Sequence, residues 1–163
     1  MYGITMTHDS TGYAGGGKAA ANPFCWDWVV TGCYVDDVNW IGIDCHGAYE
    51  IIISHNKVYD CMQGIAIPTG SGAAAVYAGW NNQVIHNIID ARHSDSTSSG
   101  RELTGYGINV NGGATEANIR VIVADNIIYG YGVASNANTG AIQSTSADNI
   151  IIHDNIIEHW GRS

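Results

Sequence analysis

The sequence predicts an all-β fold: a right-handed parallel β-helix (solenoid) of about five coils, with loop insertions. Three observations predict it. The stretch Ile41–Met62 (IGIDCHGAYEIIISHNKVYDCM) recurs without a gap at Gly140–Gly161 (GAIQSTSADNIIIHDNIIEHWG), with six of 22 paired positions identical. A Gly-Ile signature occurs at Gly3-Ile4, Gly42-Ile43, Gly64-Ile65 and Gly107-Ile108, with Ala141-Ile142 as its last copy. A second signature, an apolar run followed by Asn and further apolar residues, centres on Asn56, Asn87, Asn126 and Asn155, with Cys33 in the same place of the first copy. The two signatures alternate along the chain, as stacked units do when none can bury its apolar face alone.

Each element follows from these patterns. Alternate residues of a strand share a face. Ile4, Ile43, Ile65, Ile108 and Ile142 therefore point inward, one per coil, as an isoleucine ladder. Cys33, Asn56, Asn87, Asn126 and Asn155 form a second ladder. A buried amide is costly unless paired, and stacked Asn side chains pair with one another. Turns favour Asn because it tolerates left-handed backbone angles. The shortest repeat, from Ile43 to Ile65, is one coil. Longer spacings imply insertions at 9–22, 69–82, 92–105 and 130–138, rich in Gly, Ser, Ala and Asn. Five coils at about 4.8 Å make a stack of roughly 24 Å. No amphipathic capping helix is visible, and open coils expose strand edges. The expectation is one domain over 1–163, either a fragment of a longer solenoid or a protomer whose ends a partner covers.

Composition narrows the function. The chain is 45% hydrophobic, enough for a core, yet Leu occurs once, at Leu103. Six basic residues stand against 15 acidic ones, a net charge of −9. That argues against nucleic acid, whose backbone needs clustered cations, and disfavours an unaided polyanion. A bound Ca²⁺ would reverse this locally, so Ca²⁺ is the one cofactor considered. No apolar run reaches the roughly 18 residues of a membrane span. The N-terminus lacks the basic and apolar regions of a signal peptide, so export would use a signal outside this chain or a phage-like assembly route. Cys25, Cys33, Cys45 and Cys61 lack CxxC spacing and read as small buried hydrophobes, with disulfides left open.

Inward positions leave no buried site, so function belongs on an outer face or in loops. The outward positions of the Gly-Ile strands form two columns: Thr5, Asp44, Ala66, Asn109, Gln143, and Thr7, His46, Pro68, Asn111, Thr145. Asp44 and His46, two residues apart on one strand, share a face about 7 Å apart. A carboxylate there neutralises a uronate or holds a cation while the imidazole moves a proton. They are the candidate catalytic pair. Trp40, Trp80, Tyr106, Asn109, Asn111, Gln143 and Arg101 are the candidate substrate-binding residues, the aromatics by stacking on sugar rings. A hydrolase needs two carboxyls about 5–5.5 or 6.5–9.5 Å apart. Glu50 and Asp60 fall at coil turns, whereas Asp95 and Glu102 fall in the 92–105 insertion beside His93 and Arg101. His55, His86 and His153 read as turn-facing surface residues. No metal-ligand motif, phosphate loop or calcium-binding GGxGxD repeat is present.

The coil pattern resembles the right-handed parallel β-helix superfamily of pectate lyases, polygalacturonases, mannuronan C5-epimerases and phage tailspikes. The segment Ile41-Gly42-Ile43-Asp44-Cys45-His46 is similar to the Tyr-Gly-Phe-Asp-Pro-His motif of alginate C5-epimerases. The resemblance implies site roles for Asp44 and His46. Ile41 stands where that family has Tyr, and its second Asp falls near Pro68. Tyr106-Gly107-Ile108-Asn109-Val110-Asn111 keeps the Tyr but has Asn for both Asp and His.

The function expected is therefore a polysaccharide-acting protein, lyase, epimerase or glycosidase-like, that binds an extracellular glycan along an outer strand face. The alternatives are a non-catalytic glycan-binding module, such as a phage tailspike shaft, and a stacking unit of a fibre. Polysaccharide is the expected partner, with homo-oligomers or end-to-end stacking also considered. The expected location is extracellular or on a virion.

Overall fold

A computed structural model of the chain describes residues 3–6, 25–45, 48–68, 80–92, 105–111, 118–131, 140–145 and 147–158. Every regular element among them is a strand. The first sheet stacks Ile4–Met6, Ile41–Cys45, Gln63–Pro68, Tyr106–Asn111 and Gly140–Thr145 in chain order. The second stacks Val29–Thr31, Ile52–Ser54, Gln83–Ile85, Ile122–Ala124 and Ile151–His153. The third stacks Tyr34–Asp36, Lys57–Tyr59, Ile88–Asp90, Ile127–Tyr129 and Ile156–Glu158. Two short sheets, Cys25–Trp26 with Ala48–Tyr49 and Asn118–Ile119 with Ala147–Asp148, lie in the chain between the first and second. All pairings are parallel, and the whole is a right-handed parallel β-helix of about five coils.

Both ladders form. Ile4, Ile43, Ile65, Ile108 and Ile142 are in register across the first sheet. Its middle three members are fully buried among Val30, Ile53, Val58, Val84, Ile89 and Val123 from the other two sheets. The side-chain amide of Asn56 donates to Asn87 Oδ1 (3.0 Å), that of Asn87 to Asn126 Oδ1 (3.0 Å), and that of Asn126 to Asn155 Oδ1 (2.9 Å). Each amide also donates to a carbonyl of the preceding coil, Val30, Ile53, Val84 or Val123. The Oδ1 atoms of Asn87, Asn126 and Asn155 each take a second bond, from the backbone N–H of the preceding Asn, and Asn56 Oδ1 accepts the Cys33 N–H at 2.9 Å. Cys33 supplies no amide, so the ladder starts at its N–H. Cys45 and Cys61 are fully buried in the core, as small hydrophobes are, and Cys33 is half-buried.

The coil bends at residues with left-handed backbone angles. The first bend uses Asp27, Glu50, Asn81, Arg120 and Asn149; the second uses Gly32, His55, His86, Asp125 and Asp154; the third uses Asp37, Asp60 and Gly130. Asp, Asn, His and Gly tolerate this region best. The Gly of the Gly-Ile signature has a different cause. A Cβ on Gly64 would lie 2.5 Å from the Gly107 carbonyl oxygen and 2.4 Å from Ile89 Cγ2. Gly42 meets the same obstruction, with Val58 Cγ1 at 2.5 Å and the Gly64 carbonyl oxygen at 2.9 Å. The signature records a close approach of successive coils.

The expected insertions fall largely outside the described residues, but their edges do not. Asn82, expected in a loop, is fully buried, and its Oδ1 accepts the Ile51 N–H at 3.1 Å. Arg92 belongs to the turn after the third sheet, where its Nε and Nη2 donate to the buried Asp90 carboxylate, Nη2 at 2.6 Å, and its guanidinium stacks 4.0 Å from the Tyr129 ring centre. Tyr131 is buried, and its hydroxyl donates to the Cys61 carbonyl at 2.7 Å, tying two turns together.

Two stability measurements check this account. Asn87→Ala leaves the Asn56 N–H and the Ile53 carbonyl without their partners, an expected loss of about 2–4 kcal/mol in urea unfolding. Asn155→Ala, in the more exposed last coil, should lose less than half as much; equal losses would contradict the ladder. Burial raises the Tyr131 pKa well above its ordinary value. The unfolded chain then ionises first as pH rises above about 10, so stability falls there. Tyr131→Phe should lower stability by about 1–3 kcal/mol at neutral pH and flatten the alkaline decline; an unchanged decline would sink the assignment.

Candidate functional site

The strip singled out by sequence has the expected register. Thr5, Asp44, Ala66, Asn109 and Gln143 are successive partners across the first sheet, and Asn111 pairs with Pro68 and Thr145. Thr145 Oγ1 donates to Asn111 Oδ1 at 2.6 Å. Its accessibility differs from the expectation. Asp44 points away from the isoleucine ladder yet is 0% exposed, and Ala66 beside it is 1% exposed. An outward strand position is not a solvent position once that face of the sheet is covered. Asn109 and Gln143 are half-buried, and the Asn109 Oδ1 is buried with no hydrogen-bond partner among the described residues. His46 and Arg101 lie outside the described residues. Tyr106 is half-buried, and Trp40 is exposed in the turn before Ile41–Cys45. The second-bend histidines are exposed: the His55 and His86 rings stand 5.0 Å apart, and His86 Nδ1 lies 3.9 Å from Asp125.

Trp80 belongs to another feature. The first bend carries Asp27, Glu50, Asn81, Arg120 and Asn149 in a column along the stack, one per coil. These side chains and the outward residues Ile52, Gln83, Ile122 and Ile151 of the second sheet line an open groove of about 860 Å³. The sheet residues are in register, so the groove floor runs parallel to the coil axis. Immediately before the bend, Trp26 pairs with Tyr49 and Tyr49 with Trp80, giving three aromatic positions on successive coils. Trp80 is 44% exposed, and the Arg120 guanidinium lies 5.8 Å from its ring centre. That cation–π contact limits where the guanidinium sits.

The groove contains two chemistries. Asp27 and Glu50 are stacked one coil apart, about 4.8 Å along the axis, and both are exposed. Neither is ion-paired with a described residue. Carboxylates accept only, so they suit hydroxyl or ammonium donors. Asn81, Arg120 and Asn149 follow on the next three coils and present amide and guanidinium donors. Among the described residues no three acids, histidines or cysteines converge where an ion could be held, and no helix is long and apolar enough to cross a membrane.

Sequence reasoning missed this column because it followed the Gly-Ile strands. A signal was present in the paired residues before each apolar run: Trp26-Asp27, Tyr49-Glu50, Trp80-Asn81, Ile119-Arg120 and Asp148-Asn149. No family model, no curated protein and no solved structure matches this chain.

Chemical labelling separates the two faces. Carbodiimide coupling of an amine to the native protein should modify Asp27 and Glu50 and spare Asp44 until the chain is unfolded. Peptide mapping that finds Asp44 labelled as fast as Glu50 would show that its carboxylate is open to solvent.

Proposed function

We propose that this chain binds a glycan in the groove along the first bend and the outer face of the second sheet. One observation supports the reading above the rest: Tyr49 and Trp80, paired on successive coils, stand immediately before a column of carboxylate, amide and guanidinium side chains in register with the coils. Sugars present the matching surfaces, apolar C–H faces for aromatic rings and hydroxyls for carboxylates and amides. A floor of Ile52, Ile122 and Ile151 interrupted by Gln83 suits a ring that is apolar on one face and polar at its rim. An extended chain fits a groove parallel to the axis, since each coil adds one bend side chain and one floor residue along the same line.

The reading is that of a glycan-binding protein, with an extracellular or virion-associated setting as its natural context. It draws on the resemblance to polysaccharide-acting β-helix proteins only for the ligand class. The epimerase-like pair is not used, because Asp44 is covered and His46 lies outside the described residues.

Affinity electrophoresis against a panel of neutral, amino and carboxylated polysaccharides tests it. Retardation by at least one is expected. Trp80→Ala should weaken that binding about three- to tenfold, the loss of one exposed ring contact, whereas Asp44→Asn should leave it intact. Binding lost on Asp44→Asn and kept in Trp80→Ala would move the site to the first sheet, and retardation by none would end the proposal.

A further inference from the structure

The first bend breaks a rule that the other two keep. A left-handed backbone angle favours Gly, Asn, Asp and His. The second bend uses Gly32, His55, His86, Asp125 and Asp154, and the third uses Asp37, Asp60 and Gly130. Among the described residues only the first bend places long charged side chains, Glu50 (φ 57°) and Arg120 (φ 58°), in that region. Long, unbranched side chains gain nothing there from the local hydrogen bonds that help Asn and Asp. Strain of this kind, about 1 kcal/mol or more per residue, points toward function when nothing local explains it.

The two residues carry opposite charges and both line the groove, two coils apart and so about 10 Å along the axis. Asp27 extends the negative end beyond Glu50, whereas Asn81 and Asn149 flank Arg120 with further donors. The groove is therefore divided into an acceptor half and a donor half. A uniform polyanion meets two carboxylates and a net charge of −9; a uniform polycation meets Arg120, held against Trp80.

Building on the proposed groove, we infer that its ligand is a zwitterionic glycan, with an amine read by Asp27 and Glu50 and an anionic substituent read by Arg120 between Asn81 and Asn149. The charges on the ligand are spaced by about two coils. Each charged contact is solvent-exposed, so its contribution is up to about 1 kcal/mol, or about fivefold in affinity.

A matched series on one β-linked backbone tests the inference in a mildly acidic buffer that protonates the amine: a chitin oligosaccharide (neutral), a chitosan oligosaccharide (ammonium only), a carboxymethyl-chitin oligosaccharide (carboxylate only) and a carboxymethyl-chitosan oligosaccharide (both). The doubly charged probe should bind about tenfold tighter than the neutral one, and about 1 M salt should remove the difference. Arg120→Asn should remove the advantage of the carboxylate alone, and Glu50→Asn that of the ammonium alone. Both variants should keep or raise the melting temperature, because Asn suits the left-handed angle better. Equal binding of neutral and doubly charged probes overturns the inference while leaving the groove reading standing. A fall of several degrees in melting temperature for both variants also overturns it, by showing that Glu50 and Arg120 serve the fold. Binding by none of the four overturns this inference, and the groove reading falls with it only if the wider polysaccharide panel also shows no retardation.

Discussion

Pairing of a buried amide on each coil is the constraint on which the rest depends. Asn56, Asn87 and Asn126 are fully enclosed, and each is satisfied only when the coils before and after it are in place. The carbonyl oxygens of Asn87, Asn126 and Asn155 each take two donors from the preceding coil, so a slip of one residue would strand several buried polar groups at once. Hydrophobic burial drives the stack together and selects the residues that face inward. The amide ladder adds a polar penalty for any slip in register. The isoleucine ladder on the first sheet, the valines and isoleucines of the other two, and the close approach at Gly42 and Gly64 then follow from that register.

A fixed register has a consequence for the surface. Once coils superpose, every bend becomes a column, and every side chain at a bend has neighbours about 4.8 Å above and below. The second bend brings His55 and His86 within ring contact. The third is tied down by Arg92 on Asp90 at the surface and by the buried Tyr131 on the Cys61 carbonyl. The first is open, carries the charged residues least suited to its backbone angle, and borders the groove. Periodic scaffolding of this kind turns single substitutions in the sequence into a patterned face at no cost to the core.

The fold was legible because its causes are local and repeated. Gly-Ile marks a close coil approach and an inward Ile, and the lone Asn after an apolar run marks an amide that must be paired; both signals recur often enough to exclude coincidence. The outward columns could be written down from the same register. Their exposure could not, and Asp44 shows why: burial on the outer face depends on what covers it, which strand periodicity does not encode. The edges of the insertions differ from the loop expectation as well. Asn82, Arg92 and Tyr131 sit in Gly- and Asn-rich surroundings that look like loops, yet each makes a long-range contact that only the closed coil supplies.

The sequence by itself determined the architecture: the number of coils, the residues that face inward, and the two ladders that hold them. Periodic burial and amide pairing leave a direct trace in residue spacing. Which outer face can meet a ligand was decided by the tertiary structure alone. Asp27, Glu50, Asn81, Arg120 and Asn149 each lie six residues before Cys33, Asn56, Asn87, Asn126 and Asn155, so spacing aligns them, but it does not show that their column borders an open groove. They become one column because the bends superpose, and a groove because the second sheet lies beside them with its isoleucines turned out.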